Sequence, residues 1–221
     1  MRIDALVEDK SGSVLIYHVL KAILKEVNLD CPLGVYPHRG IGHLPSAAEL
    51  LTPPKPNEMG LLSQLPAKLR AYNKVYGNRP GELLLILVMD ADNREPGALF
   101  EHLQQVILRS SPAVATVVGV AIEELEAWLL GDPEALLKAY PEADRERLAA
   151  YQQDSVCGTW ECLAEVLLGD RACDLVELGY PAVGRYKFRW AAAIAPGMQP
   201  AANQSPSFKR FYRRVRAYLK P

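Results

Sequence analysis

Short apolar runs alternate along the chain with segments in which apolar residues recur at helical spacing. Residues 2–7 (RIDALV) are an apolar run that stops at Glu8-Asp9, which predicts a buried strand entering a loop. Behind it Leu15, Ile16, Val19, Leu20, Ile23 and Leu24 form one helical stripe, with Lys21, Lys25 and Glu26 off it and Ser11 and Ser13 as candidate caps. Residues 29–60 are rich in Pro and Gly and read as one long functional loop. A second amphipathic helix fits 61–76 and ends at Gly77. Residues 83–89 are continuously apolar, as in a strand covered on both faces, and charge begins abruptly at Asp90. A helix across 97–109 follows Pro96, and a Val-rich strand is predicted at 113–121. The chain turns helical from Glu123, where Glu123 and Glu126 are spaced to share a face. It restarts at Asp132-Pro133-Glu134 with a cap residue and a proline at the first helical position. Trp128 and Leu129 read as core. Short helices are expected over 140–204 and one basic, aromatic-bearing helix over 205–219.

This order predicts an α/β protein: a mostly parallel sheet with helices on both faces and a helical C-terminal extension. The core is expected over 1–139, with 140–221 packed on it as the extension. Composition narrows the class. Of 221 residues 49% are apolar and 23% charged, which excludes collagen-like, coiled-coil and wholly disordered chains. No run approaches the roughly 18 apolar residues of a membrane span. Asp4, Glu8 and Asp9 stand where a signal peptide would be apolar, so a cytoplasmic protein without membrane partners is expected. Cys31, Cys157, Cys162 and Cys173 lack the C-x-x-C spacing of a zinc cluster and read as buried free thiols.

The net charge of −1 hides an asymmetry. Nine Lys or Arg and no acid follow Glu177, which leaves 16 of the 25 basic residues to balance all 26 acids. A basic tail on an acidic body is the footprint of a protein that contacts a polyanion, the bland counterpart being a solvated helix or one docked on that body.

Carboxylates cluster where strands end. Glu8-Asp9 follows the first strand, Asp90-x-Asp92 the central one, and Glu123, Glu124 and Glu126 the third. In open α/β sheets ligands bind beyond the carboxyl ends of the strands. Hard oxygen donors there suit Mg²⁺ or Mn²⁺, and Asp90 and Asp92 with Glu8 are the sharpest set. The loop VYPHRGIGHLP places Arg39 among glycines and prolines, an arrangement suited to a phosphate, and Lys187 and Arg189 are further substrate-binding candidates. Asp132 reads as a helix cap, and Phe208, Phe211, Tyr212 and Tyr218 as packing residues.

Three segments, VEDKSGSVLI, LILVMDADN and VAIEELEAWLLGDPEAL, with the closing KFRW and SPSFKRF, resemble the Toprim (topoisomerase–primase) fold. More narrowly, they resemble uncharacterised bacterial Toprim-like proteins related to the nuclease domains of overcoming-lysogenization-defect proteins. The resemblance implies a Toprim/Rossmann-like fold and a metal-dependent nuclease. Asp90 and Asp92 would hold Mg²⁺ or Mn²⁺, with Glu126 or Glu123 contributing to that site or a second one. Glu8 would be a further ligand or the general acid/base, Lys10 a phosphate contact and the basic terminal helix a backbone contact. It further implies nucleic acid, in the first place DNA, as partner, a separate ATPase subunit and a role in phage defence; the chain has no G-x-x-x-x-G-K-[ST] of its own. Two positions depart from the family pattern: Asp9 stands where Toprim proteins carry Gly, and Gly12 where an acid is frequent. Two other readings stay open, a non-catalytic Toprim-like module that binds nucleic acid or a partner, and a Mn²⁺-dependent nucleotide-sugar transferase using Asp90-x-Asp92.

Overall fold

The computed structural model describes residues 1–220. Four strands, β1 (Arg2–Val7), β2 (Leu33–Pro37), β3 (Leu83–Asp90) and β4 (Ala115–Ala121), form one all-parallel sheet in the order β2-β1-β3-β4. Helix α1 (Lys10–Glu26) crosses from β1 to β2 on one face. Helices α2 (Leu61–Tyr76) and α3 (Pro96–Ser110) lie on the other. The unbroken apolar run of β3 follows from this: Leu84, Ile86 and Val88 enter the core beneath α1, while Leu83, Leu85, Leu87 and Met89 enter the core beneath α2 and α3. Because the chain leaves β1 toward one edge and returns at β3 toward the other, the carboxyl ends of β1 and β3 are the switch point at which open α/β sheets form their binding crevice.

The rest of the chain is a run of helices: α4 (Glu126–Leu130), α5 (Pro133–Ala139), α6 (Arg145–Ala150), α7 (Thr159–Leu168), α8 (Ala172–Leu178), α9 (Ala182–Ile194) and α10 (Pro206–Leu219). They share the core of the α1 face. One hydrophobic cluster runs from β1 and α1 through Trp128 and Leu163 to Trp190, Phe208 and Phe211. Trp128 stacks on Phe211 and meets Phe208 edge-on, both at 5.2 Å, and its indole N–H donates to Ser207 Oγ at 2.8 Å. Gly119 on β4 admits this contact, since a Cβ there would come within 2.8 Å of the Phe211 ring. Arg214 lies over the Phe100 ring at 4.2 Å, and the Tyr212 hydroxyl donates to Glu26 at 2.7 Å, tying α10 to α1.

Several expectations need correction. Strand β2 lies inside the segment read as loop; it is short, at the sheet edge and half-exposed, so its alternation is weak. The cap of α1 is Asp9, not Ser11 or Ser13: its carboxylate accepts the Gly12 amide at 2.7 Å and the Ser11 hydroxyl at 2.8 Å. Both departures from the Toprim pattern thus have local roles, for a Cβ at Gly12 would meet Leu125 at 2.9 Å. Glu123–Leu125 is a turn, and helix α4 begins at Glu126, so Glu123 and Glu126 do not share a helical face. The four cysteines are free, but Cys157 and Cys173 are exposed and Cys31 and Cys162 half-buried, because they sit in a loop or on outward helix faces. Asp132 is the cap expected, accepting the Ala135 amide and, at 2.7 Å, the Gln199 amide. Among the described residues no helix is long and apolar enough to cross a membrane.

Candidate active site

Glu8 is the first residue beyond β1, and Asp90 is the last of β3. Since Val7 pairs with Val88, the strand register carries the two acids to the same end of adjacent strands. Burial, first, and the negative charges of Asp92 and Asp9 push the Glu8 carboxyl up to about 7. Asp90 is held well above the usual carboxylate range by burial and then by Glu8. Asp90 Oδ1 accepts the Leu125 amide at 2.8 Å. Glu8 Oε2 is buried without a hydrogen-bond partner among the described residues. The Gly40 amide donates to the Glu8 carbonyl at 3.2 Å and His38 Nδ1 lies 2.9 Å from the Val7 carbonyl, so the loop after β2 walls this side of the crevice. Arg39, exposed, stands between those anchors.

On the other side the turn after β3 and the turn after β4 lock together. The Asp92 amide donates to the Glu123 carbonyl at 2.9 Å, and both residues are left-handed, with φ of 47° and 58°. Such backbone costs on the order of 1–3 kcal/mol per residue and clusters at functional sites. Asp92 carries its own counter-ion, Arg94 Nη1 at 2.8 Å, and is charge-coupled to Glu8.

Glu123 is turned away from the crevice. Its carboxylate accepts the amides of Cys157, Gly158 and Thr159 and the Thr159 hydroxyl, holding the start of α7. These donors outweigh burial and lower its pKa. Glu124 and Glu126 face Lys187 of α9, whose Nζ lies 3.2 Å from Glu124 Oε1 and 3.1 Å from Glu126 Oε2. The latter is a charge contact rather than an aimed hydrogen bond, since Glu126 Oε2 lacks one. Glu124 also accepts the Trp160 amide at 3.0 Å. Burial raises the Glu124 carboxyl to about 7 against the pull of Lys187. The ammonium of Lys187 is held above its ordinary range because Glu126, Glu124 and Asp90 outweigh its burial.

Of the residues singled out in the sequence, Glu8, Asp90 and Asp92 therefore gather at the crevice, and Glu126 lies beside them, bound to Lys187. Lys187 is buried within the acids and is not a surface contact, whereas Lys10 and Arg189 are exposed. The pairing of Glu124 with Lys187 carried no signal in sequence, where the two are 63 residues apart. Among the described residues no group of three or more His, Cys, Asp or Glu side chains is placed to hold a metal ion. Two carboxylates, one with an orphaned buried oxygen, are nonetheless the donor set Mg²⁺ takes when water and substrate phosphate complete its shell. Scans of protein-family models, of curated proteins and of solved structures find no match to this chain.

Proposed function

We propose that the chain is a Toprim-type, metal-dependent phosphodiester hydrolase, with nucleic acid as substrate. The observation that carries this reading is the meeting of Glu8 and Asp90 at the same end of adjacent strands, where burial raises both carboxyls and Glu8 Oε2 has no hydrogen-bond partner among the described residues. Glu8 and Asp90 would hold Mg²⁺ or Mn²⁺, with Asp92 bordering them. A bound ion would supply charge stabilisation for the phosphodiester and a more acidic water. Where Asp90 alone holds the ion, the raised Glu8 carboxyl suits proton transfer near neutral pH instead. The Leu125 amide keeps Asp90 oriented, and Arg39 lies on the rim where a substrate phosphate would pass. DNA as the substrate, a separate ATPase subunit and a part in phage defence belong to this proposal through the sequence resemblance alone. The transferase alternative gives Glu8 no role, and the pairing of Glu8 with Asp90 speaks against it.

The test is nicking of supercoiled plasmid in Mn²⁺. Wild type is expected to nick, and Glu8→Gln, Asp90→Asn and EDTA are each expected to abolish it. Nicking that survives in the variants overturns the assignment. One observation favours the second reading, a non-catalytic binding module: Lys187 already supplies a buried cation beside Asp90. That reading requires nucleic-acid binding indifferent to EDTA and to Asp90→Asn, with no cleavage by wild type.

A further inference from the structure

Outside the acidic crevice, the start of α1 and the outer face of α9 bound an open groove of about 640 Å³. Three cations line it, Lys10, Arg185 and Arg189, together with the rings of Tyr180 and Phe188, and among the described residues no acid does. The sequence builds it by helical spacing. Gly184 and Phe188, and Arg185 and Arg189, are each four apart, so both pairs lie along one side of α9 while Lys187 turns inward to Glu124 and Glu126. Gly184 leaves the floor open, since a Cβ there would meet nothing within 4 Å. Both rings are exposed, Tyr180 at 69% and Phe188 at 43%. Elsewhere the large aromatics of this segment, Trp190 and Phe211, are buried. The groove adjoins the crevice. Lys10 is two residues beyond Glu8, and Lys187, between Arg185 and Arg189 on α9, reaches Glu124 and Glu126.

Exposed rings interleaved with cations match the two chemistries of an unpaired polynucleotide, base faces that stack and phosphates that need positive charge. A duplex offers only the phosphates, because its base faces are stacked on each other. We infer that this groove binds a single-stranded stretch of nucleic acid, with bases against Tyr180 and Phe188 and phosphates on Lys10, Arg185 and Arg189, and feeds it toward the Glu8–Asp90 crevice. The binding itself stands on the groove; its link to catalysis rests on the nuclease reading above.

The experiment is fluorescence anisotropy with the full chain in EDTA, using labelled oligo-dT, oligo-rU and a duplex of equal length over a series of salt concentrations. One or both single strands are expected to bind at least about tenfold more tightly than duplex, the two arms deciding between DNA and RNA. Tyr180→Ala with Phe188→Ala is expected to lower single-strand affinity about tenfold or more and to leave duplex affinity unchanged. Arg185→Ala with Arg189→Ala weakens both and flattens the log–log salt dependence of single-strand binding by about 1.4, two phosphate contacts at roughly 0.7 each. Duplex binding equal to or tighter than single-strand binding, insensitivity to the aromatic substitutions, or no binding to any probe overturns the inference. Because EDTA removes hydrolysis, single-strand binding that persists in a protein unable to nick plasmid sinks the nuclease reading and leaves the groove standing. Nicking without single-strand preference does the reverse.

Discussion

Two pairs of acids sit side by side at the carboxyl end of this sheet and differ in the partner they meet. Glu124 and Glu126 close on Lys187, an ammonium only 8% exposed, so one of their two charges is answered within the fold. Glu8 and Asp90 have no such clamp. The charge of Lys187 reaches both Glu8 and Asp90, yet burial still raises their carboxyls, and Glu8 Oε2, like Glu126 Oε2, has no hydrogen-bond partner among the described residues. Buried like charges persist only where a proton or a cation answers them, and only one of the two pairs meets a cation at ion-pair distance. The difference lies in the partner, not in the residue type.

Breaking the clamp is expected to have the largest effect. Lys187→Met leaves two buried carboxylates uncompensated and should destabilise the fold by about 3–5 kcal/mol in urea denaturation. Adding Glu124→Gln and Glu126→Gln to it should recover most of that loss. A triple variant as unstable as the single one would show that Lys187 matters through packing instead.

The unclamped pair responds in the other direction. Asp90→Asn keeps an acceptor for the Leu125 amide but removes a buried carboxylate that Glu8 repels, and should stabilise the metal-free protein by about 1–2 kcal/mol, on the order of one pKa unit. The pH dependence follows from the same groups. Glu8 and Glu124 are raised from 4.5 to about 7 in the folded state, and Asp90 is raised with them, so the folded chain binds more protons than the unfolded one between those values. Stability in EDTA should therefore fall as pH rises from about 4.5 to about 7, by at most about 1.4 kcal/mol per pH unit per group, and Asp90→Asn should flatten the slope. Melting curves with and without Mg²⁺ check the contrast: Mg²⁺ should raise Tm for wild type and leave Asp90→Asn unmoved.

The smallest expected effect sharpens the comparison from outside it. Glu123→Gln weakens the hold on the start of α7 and should cost about 1 kcal/mol, the worth of a lost cap. It should leave the Mg²⁺-induced rise in Tm intact. A rise that vanished in Glu123→Gln would return this residue to the metal site that its sequence position suggested.

Legibility differed between fold and site for physical reasons. The seven apolar residues before Asp90 announced a central strand, and the stripe from Leu15 to Leu24 a helix on one face, because burial imposes a period that sequence displays. Strand β2 escaped, since a short edge strand is held by backbone bonds to β1 and needs little apolar side-chain pattern. Within the site, Glu8, Asp90 and Asp92 were readable as strand-end acids. Glu123 was not separable from Glu126, because a left-handed φ at Glu123 breaks the helical spacing that would have aligned them. Lys187 looked like a surface contact for the same kind of reason: a lysine in a basic segment gives no sign of the two carboxylates it meets 61 and 63 residues earlier.

By itself, then, the sequence determined the elements, their buried faces and the strand ends where carboxylates emerge, since each depends on neighbours a few residues away. Only the tertiary structure decided which acids meet Lys187 and which do not. That choice depends on where α9 comes to rest against the turn after β4, and Coulomb interactions fall off with distance in space and take no account of distance along the chain.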